Sequence, residues 1–331
     1  MNNKIFISTY PFGIHDPEPL NLLNATGWEI ITNPFKRKLK STEVAEIAKD
    51  VDGIIAGTED LTPLIQSNQK LKFISRVGIG LDSVPLSLCR EREIKVSYTP
   101  DAVTKAVVEL TIGLMLSVTR YISNADRELR KGKWSRFTGK RLGESVIGLI
   151  GLGRVGLSVL RILSAFAPKK IIINDLVDDK SDEVRNILEK SKIPFAFLNK
   201  EQIYTDSDVI SIHVPLTKLT KNLISSAELS KFKKDAFLIN TARGGIVNEA
   251  ALYEALKNQR IAGAAIDVFE EEPYKGNLCE LENVLLTQHM GSCSYDCRLL
   301  MEKGAAEEII RFFKGVPLLN EVPEQEYLNQ N

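Results

Sequence analysis

The chain has 331 residues, enough for two domains of ordinary size. Its 43 basic and 43 acidic residues give no formal net charge, so the composition carries no electrostatic footprint for nucleic acid or an anionic membrane. No apolar stretch is long enough to span a bilayer, and the four cysteines form no CxxC pair. We therefore expect a cytoplasmic protein with reduced thiols, no metal centre, and small molecules as its partners.

Five short apolar runs in the first hundred residues predict strands that alternate with helices. The runs are KIFIST, WEIIT, GIIAGT, KFISRVG and KVSYT. Such alternation predicts a doubly wound parallel sheet. The apolar-periodic segment 103–120 follows without a proline and predicts a buried helix that joins this domain to the next.

The sequence IGLIGLGRVG at 147–156 places Gly151, Gly153 and Gly156 between a strand-like run and a helix. This spacing is a dinucleotide-binding fingerprint. The first glycine permits the tight turn, the second lets the backbone approach a pyrophosphate, and the third lets the helix pack close to the strand. The phosphates then lie at the helix N-terminus, where free N–H groups favour anions.

Asp175 closes the next apolar run. An acidic residue there accepts hydrogen bonds from the adenosine ribose hydroxyls and repels a 2′-phosphate. Val177 and Asp178 offer no guanidinium for such a phosphate, although Lys180 could reach one. The pattern favours NAD over NADP, and a plain carboxylate at a strand end is the alternative.

Further apolar runs after the glycine turn predict the strands of a second sheet. They are KIIIND, PFAFL, DVISIHV, AFLINTA, IAGAAIDV and NVLLTQH. Their near-continuous apolar character is typical of a parallel sheet buried on both faces. The segment 290–314 is predicted to be a helix that folds back onto the first domain, and the polar end PEQEYLNQN to be frayed.

Three ionisable residues follow late strands, at the edge where open α/β sheets bind ligands: Arg243, Glu272 and His289. With the motifs around them, the chain resembles the D-isomer-specific 2-hydroxyacid dehydrogenase family, and its phosphoglycerate-dehydrogenase-like members in particular. The motifs that carry the resemblance, in the family's order, are GLGRVG, HVPLTKLT, NTARGGIVNE, AIDVFEEEP and QHMGS.

The resemblance implies an α/β fold with two doubly wound parallel-sheet domains. A Rossmann NAD-binding domain at 101–290 would be inserted into a flavodoxin-like substrate domain made of 1–100 and 291–331, with the active site in the cleft. The implied function is a NAD-dependent oxidoreductase that transfers a hydride between nicotinamide and a D-2-hydroxyacid or its 2-keto acid. We also expect no appended regulatory domain.

The resemblance also implies the catalytic roles. Arg243 would bind the substrate carboxylate with its forked guanidinium. His289 would exchange the hydroxyl proton, and Glu272 would stabilise the imidazolium. Glu272 ends a run of three glutamates, so a solvated acidic loop is the alternative. His213 and His15 compete with His289, but the family pattern makes His213 structural.

Further contacts follow from the same resemblance. Val77 and Gly78 match the loop whose backbone amides hold the substrate carboxylate, with a plain glycine turn as the alternative. Asp267 matches a contact to the nicotinamide carboxamide, with a strand cap as the alternative. The other residues expected to contact NAD, besides the three glycines and Asp175, are Arg154, Val155, His213, Val214, Pro215, Thr220, Thr241, Ala242 and Gly291.

The chain departs from the family pattern at two places. After the histidine it reads GSCSYDC, which puts Cys293 near the expected cleft. Phosphoglycerate dehydrogenases carry an arginine for the phosphate shortly after the third strand, whereas this chain has Thr58, Glu59 and Asp60, and carboxylates repel a phosphate ester. A 3-phosphoglycerate dehydrogenase of serine biosynthesis is the alternative enzyme, and a NAD-sensing, corepressor-like binding protein is the alternative from another class.

The segment RKGKWSRF matches a loop that family members place across a dimer interface. Gly132, Lys133 and Trp134 carry the match, so a homodimer is expected. An exposed basic loop with one buried tryptophan is the alternative.

Overall fold

The computed structural model describes residues 3–176 and 181–330, and the chain forms two compact units. Unit 1 comprises Met1–Val103 and Ser292–Asn331, and unit 2 comprises Thr104–Gly291. The sequence predicts these boundaries at 100/101 and 290/291. Unit 1 is therefore built from two separate stretches of the chain.

The strands of unit 1 form one parallel sheet in the order β2-β1-β3-β4-β5. They are β1 (Lys4–Ile7), β2 (Glu29–Thr32), β3 (Gly53–Ala56), β4 (Phe73–Arg76) and β5 (Lys95–Ser97). Each lies within an apolar run that predicts a strand. This order is that of the flavodoxin-like sheets, whose ligand site lies at the carboxyl ends of β1 and β3.

Helices cover both faces of the unit 1 sheet. They are α1 (Glu18–Asn24), α2 (Ser41–Ile47), α3 (Thr62–Ser67), α4 (Leu86–Glu91), α12 (Tyr295–Phe313) and α13 (Glu324–Gln330). The returning helix α12 packs closely: Phe312 stacks on Phe73 with ring centroids 4.4 Å apart, and Ser75 Oγ donates to the carbonyl of Ala305 at 2.9 Å. The C-terminal stretch thus completes the core of unit 1.

The returning helix begins at Tyr295, so the prediction that it starts at 290 was wrong. The amides of Met290 and Gly291 instead donate to the carboxylate of Asp267, which holds this stretch in a loop. Ser294 then caps the helix by accepting from the amide of Cys297.

The prediction of a frayed C-terminus was also wrong, because residues 324–330 form α13. The side chain of Gln330 accepts from the amide of Leu86 at 2.7 Å and donates to the carbonyls of Leu81 and Val84 at 2.9 Å. These bonds hold the polar terminal segment against unit 1, and no apolar pattern in it signals them.

The strands of unit 2 form a parallel sheet in the order β12-β11-β10-β9-β6-β7-β8. They are β6 (Val146–Ile150), β7 (Lys170–Asn174), β8 (Phe195–Phe197), β9 (Val209–Ile212), β10 (Phe237–Asn240), β11 (Gly263–Ile266) and β12 (Val284–Leu286). This is the Rossmann order extended by one strand, and the strand order reverses between β6 and β9.

The helices of unit 2 pack on both faces of the sheet, and the buried side chains form two hydrophobic clusters. They are α5 (Thr104–Thr119), α6 (Ile122–Arg130), α7 (Arg154–Ser164), α8 (Ser181–Leu188), α9 (Lys200–Asp206), α10 (Ser226–Leu229) and α11 (Glu249–Lys257). Along β6, Ile147 and Leu149 face one cluster while Ile150 faces the other. Both faces are buried, which explains the continuous apolar runs.

No single described helix is both long and apolar enough to cross a membrane. Only α5 and α6 taken together, across a 62° bend, meet the length and composition of a span.

Asp208 ties together the amino-terminal ends of β6 and β9. Its buried carboxylate accepts from the amide of Val146 at 2.7 Å and from the Nζ atoms of Lys140 and Lys233 at 3.1 Å. Burial acts to raise the pKa of this carboxyl, but the three donors outweigh burial and hold the pKa below its usual range. The lowered pKa stabilises the fold at neutral pH, and this contribution is lost as the pH falls through the folded value.

The variant Asp208→Asn removes this charge with little change of shape. We expect it to lower the free energy of unfolding by about 2 kcal/mol at pH 7, because two lysines lose their shared carboxylate. The difference should shrink below about pH 4, where the wild-type carboxyl also takes up a proton. Urea denaturation followed by circular dichroism measures both effects.

Asp235→Asn is the matched control. Asp235 is exposed and contacts Lys140 at 3.2 Å, so its loss should change the free energy of unfolding by no more than about 0.5 kcal/mol. Equal destabilisation by the two variants would contradict the role of Asp208.

Candidate active site

The glycine turn after β6 has the geometry that its motif predicts. Gly151 has φ +98°, and a Cβ atom there would lie 2.6 Å from the carbonyl oxygen of His213. A Cβ atom at Gly156 would overlap the carbonyl of Gly151, so only glycine lets α7 pack this closely. These two glycines bring the start of α7 against the ends of β6 and β9.

Gly153 differs, because no atom lies within 4 Å of where its Cβ would be. It is the N-cap of α7, and Arg154 and Val155 form the first turn. Open space at a helix N-terminus, with an exposed arginine beside it, is what a pyrophosphate requires. This part of unit 2 therefore fits a dinucleotide.

Asp175 directly follows β7 and is half-buried. Its Oδ2 accepts from the amide of Leu152 within the glycine turn. The carboxylate is thus held next to the turn, where the ribose of a bound dinucleotide would lie. Of the residues that bear on the choice between NAD and NADP, Val177, Asp178 and Lys180 lie outside the described residues.

His213 follows β9, and its backbone contacts the glycine turn. Its Nε2 is shielded from solvent and has no hydrogen-bond partner among the described residues. Burial lowers the pKa of His213 to about 4, so the ring is neutral at physiological pH. A ring that does not titrate near neutrality makes a poor acid or base at that pH.

The hydroxyls of two predicted cofactor residues hold loops together. Thr220 Oγ1 donates to the carbonyl of Pro215 at 2.6 Å, closing the loop that also contains Val214. Thr241 is buried after β10, and its Oγ1 lies 2.8 Å from Oγ1 of Thr111 on α5. A threonine within a helix has no distinctive sequence pattern, so the sequence does not predict a role for Thr111.

His289 and Glu272 form a hydrogen-bonded pair. Nδ1 of His289 lies 2.9 Å and 3.0 Å from the two carboxylate oxygens of Glu272. The amide of Phe269 donates to Glu272 Oε1 at 3.2 Å, and the side chain of Glu272 is only 24 % exposed. Of the three glutamates in the run, Glu272 is thus the one that contacts the histidine.

The ends of β10, β11 and β12 are joined through Asp267. Its amide donates to the carbonyl of Asn240 at 3.0 Å, and its own carbonyl accepts from the amide of His289 at 2.7 Å. His289 itself has φ +52°, in the left-handed region. The loop that carries the histidine is therefore held at a defined distance from the neighbouring strands.

The carboxylate of Asp267 also holds that loop. It accepts from Thr287 Oγ1 at 2.6 Å and from the amides of Met290 and Gly291 at 2.7 and 2.9 Å. The residue is 0 % exposed. The carboxylate of Asp267 and the amide of Gly291 therefore already have partners within unit 2, and the contacts of both residues with the cofactor stay predictions.

Arg243 follows β10 and is half-buried, and its Nη1 donates to the carbonyl of Ala242 at 2.7 Å. The next residue, Gly244, packs directly on the backbone at Phe269 and Glu270, where a Cβ atom would overlap the Phe269 carbonyl. The loop of Arg243 thus touches the loop of Glu272. The double glycine of TARGG is the sequence signal of this close approach.

In unit 1, two predicted positions lie at the carboxyl end of β4. The amide of Val77 donates to the carbonyl of Ala56 at 2.9 Å, and the amide of Gly78 donates to Thr99 Oγ1 at 2.8 Å. Both amides therefore have partners within unit 1, and a substrate carboxylate would have to share them. Carboxylate binding by Val77 and Gly78 stays a prediction.

The acidic residues after β3 are also bonded inside unit 1. Buried Glu59 accepts from the hydroxyl of Ser8 and, at 3.0 Å, from the amide of Gly57. Asp60 accepts from the amide of Thr62 at 2.9 Å, at the start of α3. A buried carboxylate thus lies where the strand order of this sheet places a ligand site.

The cysteines after the histidine loop differ in exposure: Cys293 is exposed in unit 1 and Cys297 is buried. Burial raises the pKa of the Cys297 thiol to about 11, so it is not a thiolate at neutral pH. No group of three metal-ligating side chains occurs among residues 3–176 and 181–330.

The sequence of this chain matches the model of a known protein family. The D-isomer specific 2-hydroxyacid dehydrogenase NAD-binding domain matches residues 112–291, more than half of the sequence. The chain belongs to the D-isomer specific 2-hydroxyacid dehydrogenase family. The family, the two-domain parallel α/β fold, the nicotinamide cofactor and the dehydrogenase activity predicted from the sequence are confirmed.

This dehydrogenase is similar to curated proteins along most of its length. It is 38% identical over 283 residues to a glyoxylate reductase of Thermofilum pendens, a match that covers 82% of this chain and 81% of that one. It is 36% identical over 282 residues to a D-3-phosphoglycerate dehydrogenase of Methanocaldococcus jannaschii, covering 84% of this chain and 52% of that one.

A solved structure extends the similarity to the whole fold. The NADPH-dependent glyoxylate/hydroxypyruvate reductase of Sinorhizobium meliloti, in complex with NADP and malonate, superposes with a TM-score of 0.83. The two proteins are 29% identical, and the match covers 98% of each chain.

The open space at Gly153 leads to a prediction. In Gly153→Ala the new methyl group meets no protein atom beyond the neighbouring residues, so the free energy of unfolding should change by no more than about 1 kcal/mol, the preference of an N-cap for glycine. The methyl group fills the space for the pyrophosphate, and we expect the Kd for NADH to rise about tenfold or more, at least about 1.4 kcal/mol. Fluorescence titration with NADH, combined with urea denaturation, measures both quantities.

Gly113→Ala is the matched control, because Gly113 on α5 also has no atom within 4 Å of its Cβ position. It should leave NADH binding unchanged and stabilise the helix by up to about 1 kcal/mol. If Gly153→Ala binds NADH as tightly as the wild type, the pyrophosphate does not lie at this turn.

Proposed function

We propose that this dehydrogenase reduces small, non-phosphorylated 2-keto acids to D-2-hydroxyacids with NADH, and catalyses the reverse oxidation with NAD. The observation that carries the proposal is the pair of His289 and Glu272, 2.9 Å apart. The pair follows β12 and β11 at the carboxyl edge of the sheet that also carries the glycine turn.

His289 exchanges the proton of the reaction. Nδ1 is bonded to Glu272, and we assign to Nε2 the transfer of a proton to the C2 oxygen in reduction and its return in oxidation. The carboxylate of Glu272 fixes the ring orientation and stabilises the imidazolium that oxidation produces. When bound, the nicotinamide supplies or accepts the hydride at C2.

Arg243 binds the substrate carboxylate. A guanidinium presents two parallel N–H donors to a carboxylate, a geometry that a lysine cannot match. Gly244 supports this assignment, because its contact with the backbone of Phe269 keeps the arginine loop next to the loop of Glu272.

Asp175 supports the preference for NAD. Its carboxylate lies beside the glycine turn, where it can accept from ribose hydroxyls and would repel a 2′-phosphate. The reductase of Sinorhizobium meliloti is NADPH-dependent, so the test must include both NADH and NADPH.

Oxidation of 3-phosphoglycerate is the second candidate, because the relative from Methanocaldococcus jannaschii is a D-3-phosphoglycerate dehydrogenase. The carboxylates of Glu59 and Asp60 after β3 favour a substrate without a phosphate.

A purified sample assayed with glyoxylate, hydroxypyruvate, pyruvate and phosphohydroxypyruvate, each with NADH and NADPH, separates the two candidate functions. No turnover of any 2-keto acid, with NADH still bound, would overturn the proposal.

The proposed roles of His289 and Arg243 predict that their loss lowers the rate of reaction but leaves cofactor binding nearly unchanged. His289→Gln and Arg243→Ala should lower kcat/KM for the preferred 2-keto acid by about a thousandfold or more. The Kd for NADH should stay within about threefold, because neither side chain holds the pyrophosphate. Steady-state kinetics and NADH titration measure the two quantities, and a parallel loss of cofactor binding would contradict these roles.

We further propose that the protein is a homodimer. Residues 129–138 are all exposed, and they include Trp134 at 78 % and Leu129 at 58 % exposure. The alternative of a buried tryptophan in this loop is therefore wrong. Large apolar side chains this exposed are typical of surfaces that bind another protein, and a second copy is always available.

Light scattering after size exclusion should give twice the 36.9 kDa of one chain. Trp134→Glu should shift the protein toward one chain mass, because a charge would be buried in the interface. Leu319→Glu, at an equally apolar and 67 % exposed position in unit 1, is the control and should stay dimeric. A wild-type protein of one chain mass at micromolar concentration would refute the dimer.

A further inference from the structure

Glu249, the first residue of α11, contacts the loop that carries the catalytic glutamate. Its Oε1 accepts from the amide of Glu270 at 2.7 Å. Glu249 is half-buried, although Glu270 itself is exposed. A carboxylate at the first turn of a helix is favourable, but the motif offers no reason for its bond to a loop 21 residues further along the chain.

The loop 268–273 is here called the acid loop. Three contacts hold it in addition to the bond between Glu249 and the amide of Glu270. The amide of Phe269 donates to Glu272 Oε1, the ring of Phe269 stacks on Tyr274 at 4.1 Å, and Gly244 packs against its backbone. Glu249 supplies the anchor at Glu270, two residues before Glu272. Without it, the stretch that leads directly into Glu272 loses its side-chain contact from α11.

Glu249 is also within electrostatic reach of the pair. Burial raises the pKa of the Glu249 carboxyl, and the negative charges of Glu270 and Glu272 raise it further. This repulsion is mutual, so a charged Glu249 adds negative potential at Glu272. Burial also raises the pKa of Tyr274, which is uncharged at neutral pH.

We propose that Glu249 is a positioning residue for the pair of Glu272 and His289: its carboxylate anchors the acid loop through the amide of Glu270. The proposal rests on the function proposed above. It assigns to α11 a part in the proton transfer without contact with substrate or cofactor.

Two variants separate the anchor from the charge. Glu249→Gln keeps an oxygen that accepts from the amide of Glu270 but removes the charge. Glu249→Ala removes both. Glu254→Ala, on the exposed side of the same helix, is the matched control, because it removes a carboxylate that contacts Asn258 rather than the acid loop.

We expect Glu249→Ala to lower kcat for 2-keto acid reduction about tenfold, since small displacements of catalytic groups have large effects, with KM and NADH affinity changed by less than about threefold. Glu249→Gln should keep kcat within about twofold at its optimum. Glu254→Ala should match the wild type in every respect.

Hydrogen exchange of the Glu270 amide tests the anchor without any activity assay. Exchange should be faster in Glu249→Ala than in the wild type and nearly unchanged in Glu249→Gln. Unchanged exchange in Glu249→Ala, or wild-type kcat in that variant, would overturn the anchor. If the wild type reduces no 2-keto acid, the proposed function fails, and the exchange data still decide whether Glu249 holds the loop.

Discussion

The backbone hydrogen bonds around Asp267 are the constraint on which the candidate site depends. Parallel pairing places the carboxyl ends of β10, β11 and β12 at one edge, but each strand continues into a loop that pairing alone does not fix. Asp267 joins the end of β10 to the histidine loop through its amide and carbonyl. Its buried carboxylate then holds the amides that follow His289. A buried anion with several donors is stable, whereas the same anion without them would be costly.

Close approach of backbones supplies the second part of the arrangement. Gly156 lets α7 reach the turn after β6, and Gly244 lets the loop after β10 touch the acid loop. In each case a methyl group would overlap a carbonyl, so the position admits glycine for reasons of space. The same residue type at Gly153 leaves open space instead. Three glycines in unit 2 thus serve two different needs, and only the local surroundings tell them apart.

Charges near the site are arranged by the same loops. Glu272 is bonded to His289, while Glu249 is bonded to the backbone just before it. His213 remains neutral at physiological pH because burial opposes its protonation, whereas His289 is bonded to a carboxylate, although both residues follow strands of one sheet. Burial and hydrogen bonding, as well as residue type, decide the surroundings of each histidine.

The sequence by itself determined the fold class, the strands of both sheets, the dinucleotide turn and the three residues that follow β10, β11 and β12. These features depend on local periodicity and on motifs that are contiguous in the chain. Only the tertiary structure decided that α12 starts at Tyr295, that the polar C-terminus forms a helix, and that Asp267 and Glu249 hold the loops of His289 and Glu272. Those features depend on hydrogen bonds between residues far apart in the chain, for which the sequence has no periodic signal. The physical reason is that a carboxylate's role depends on which donors the fold brings to it.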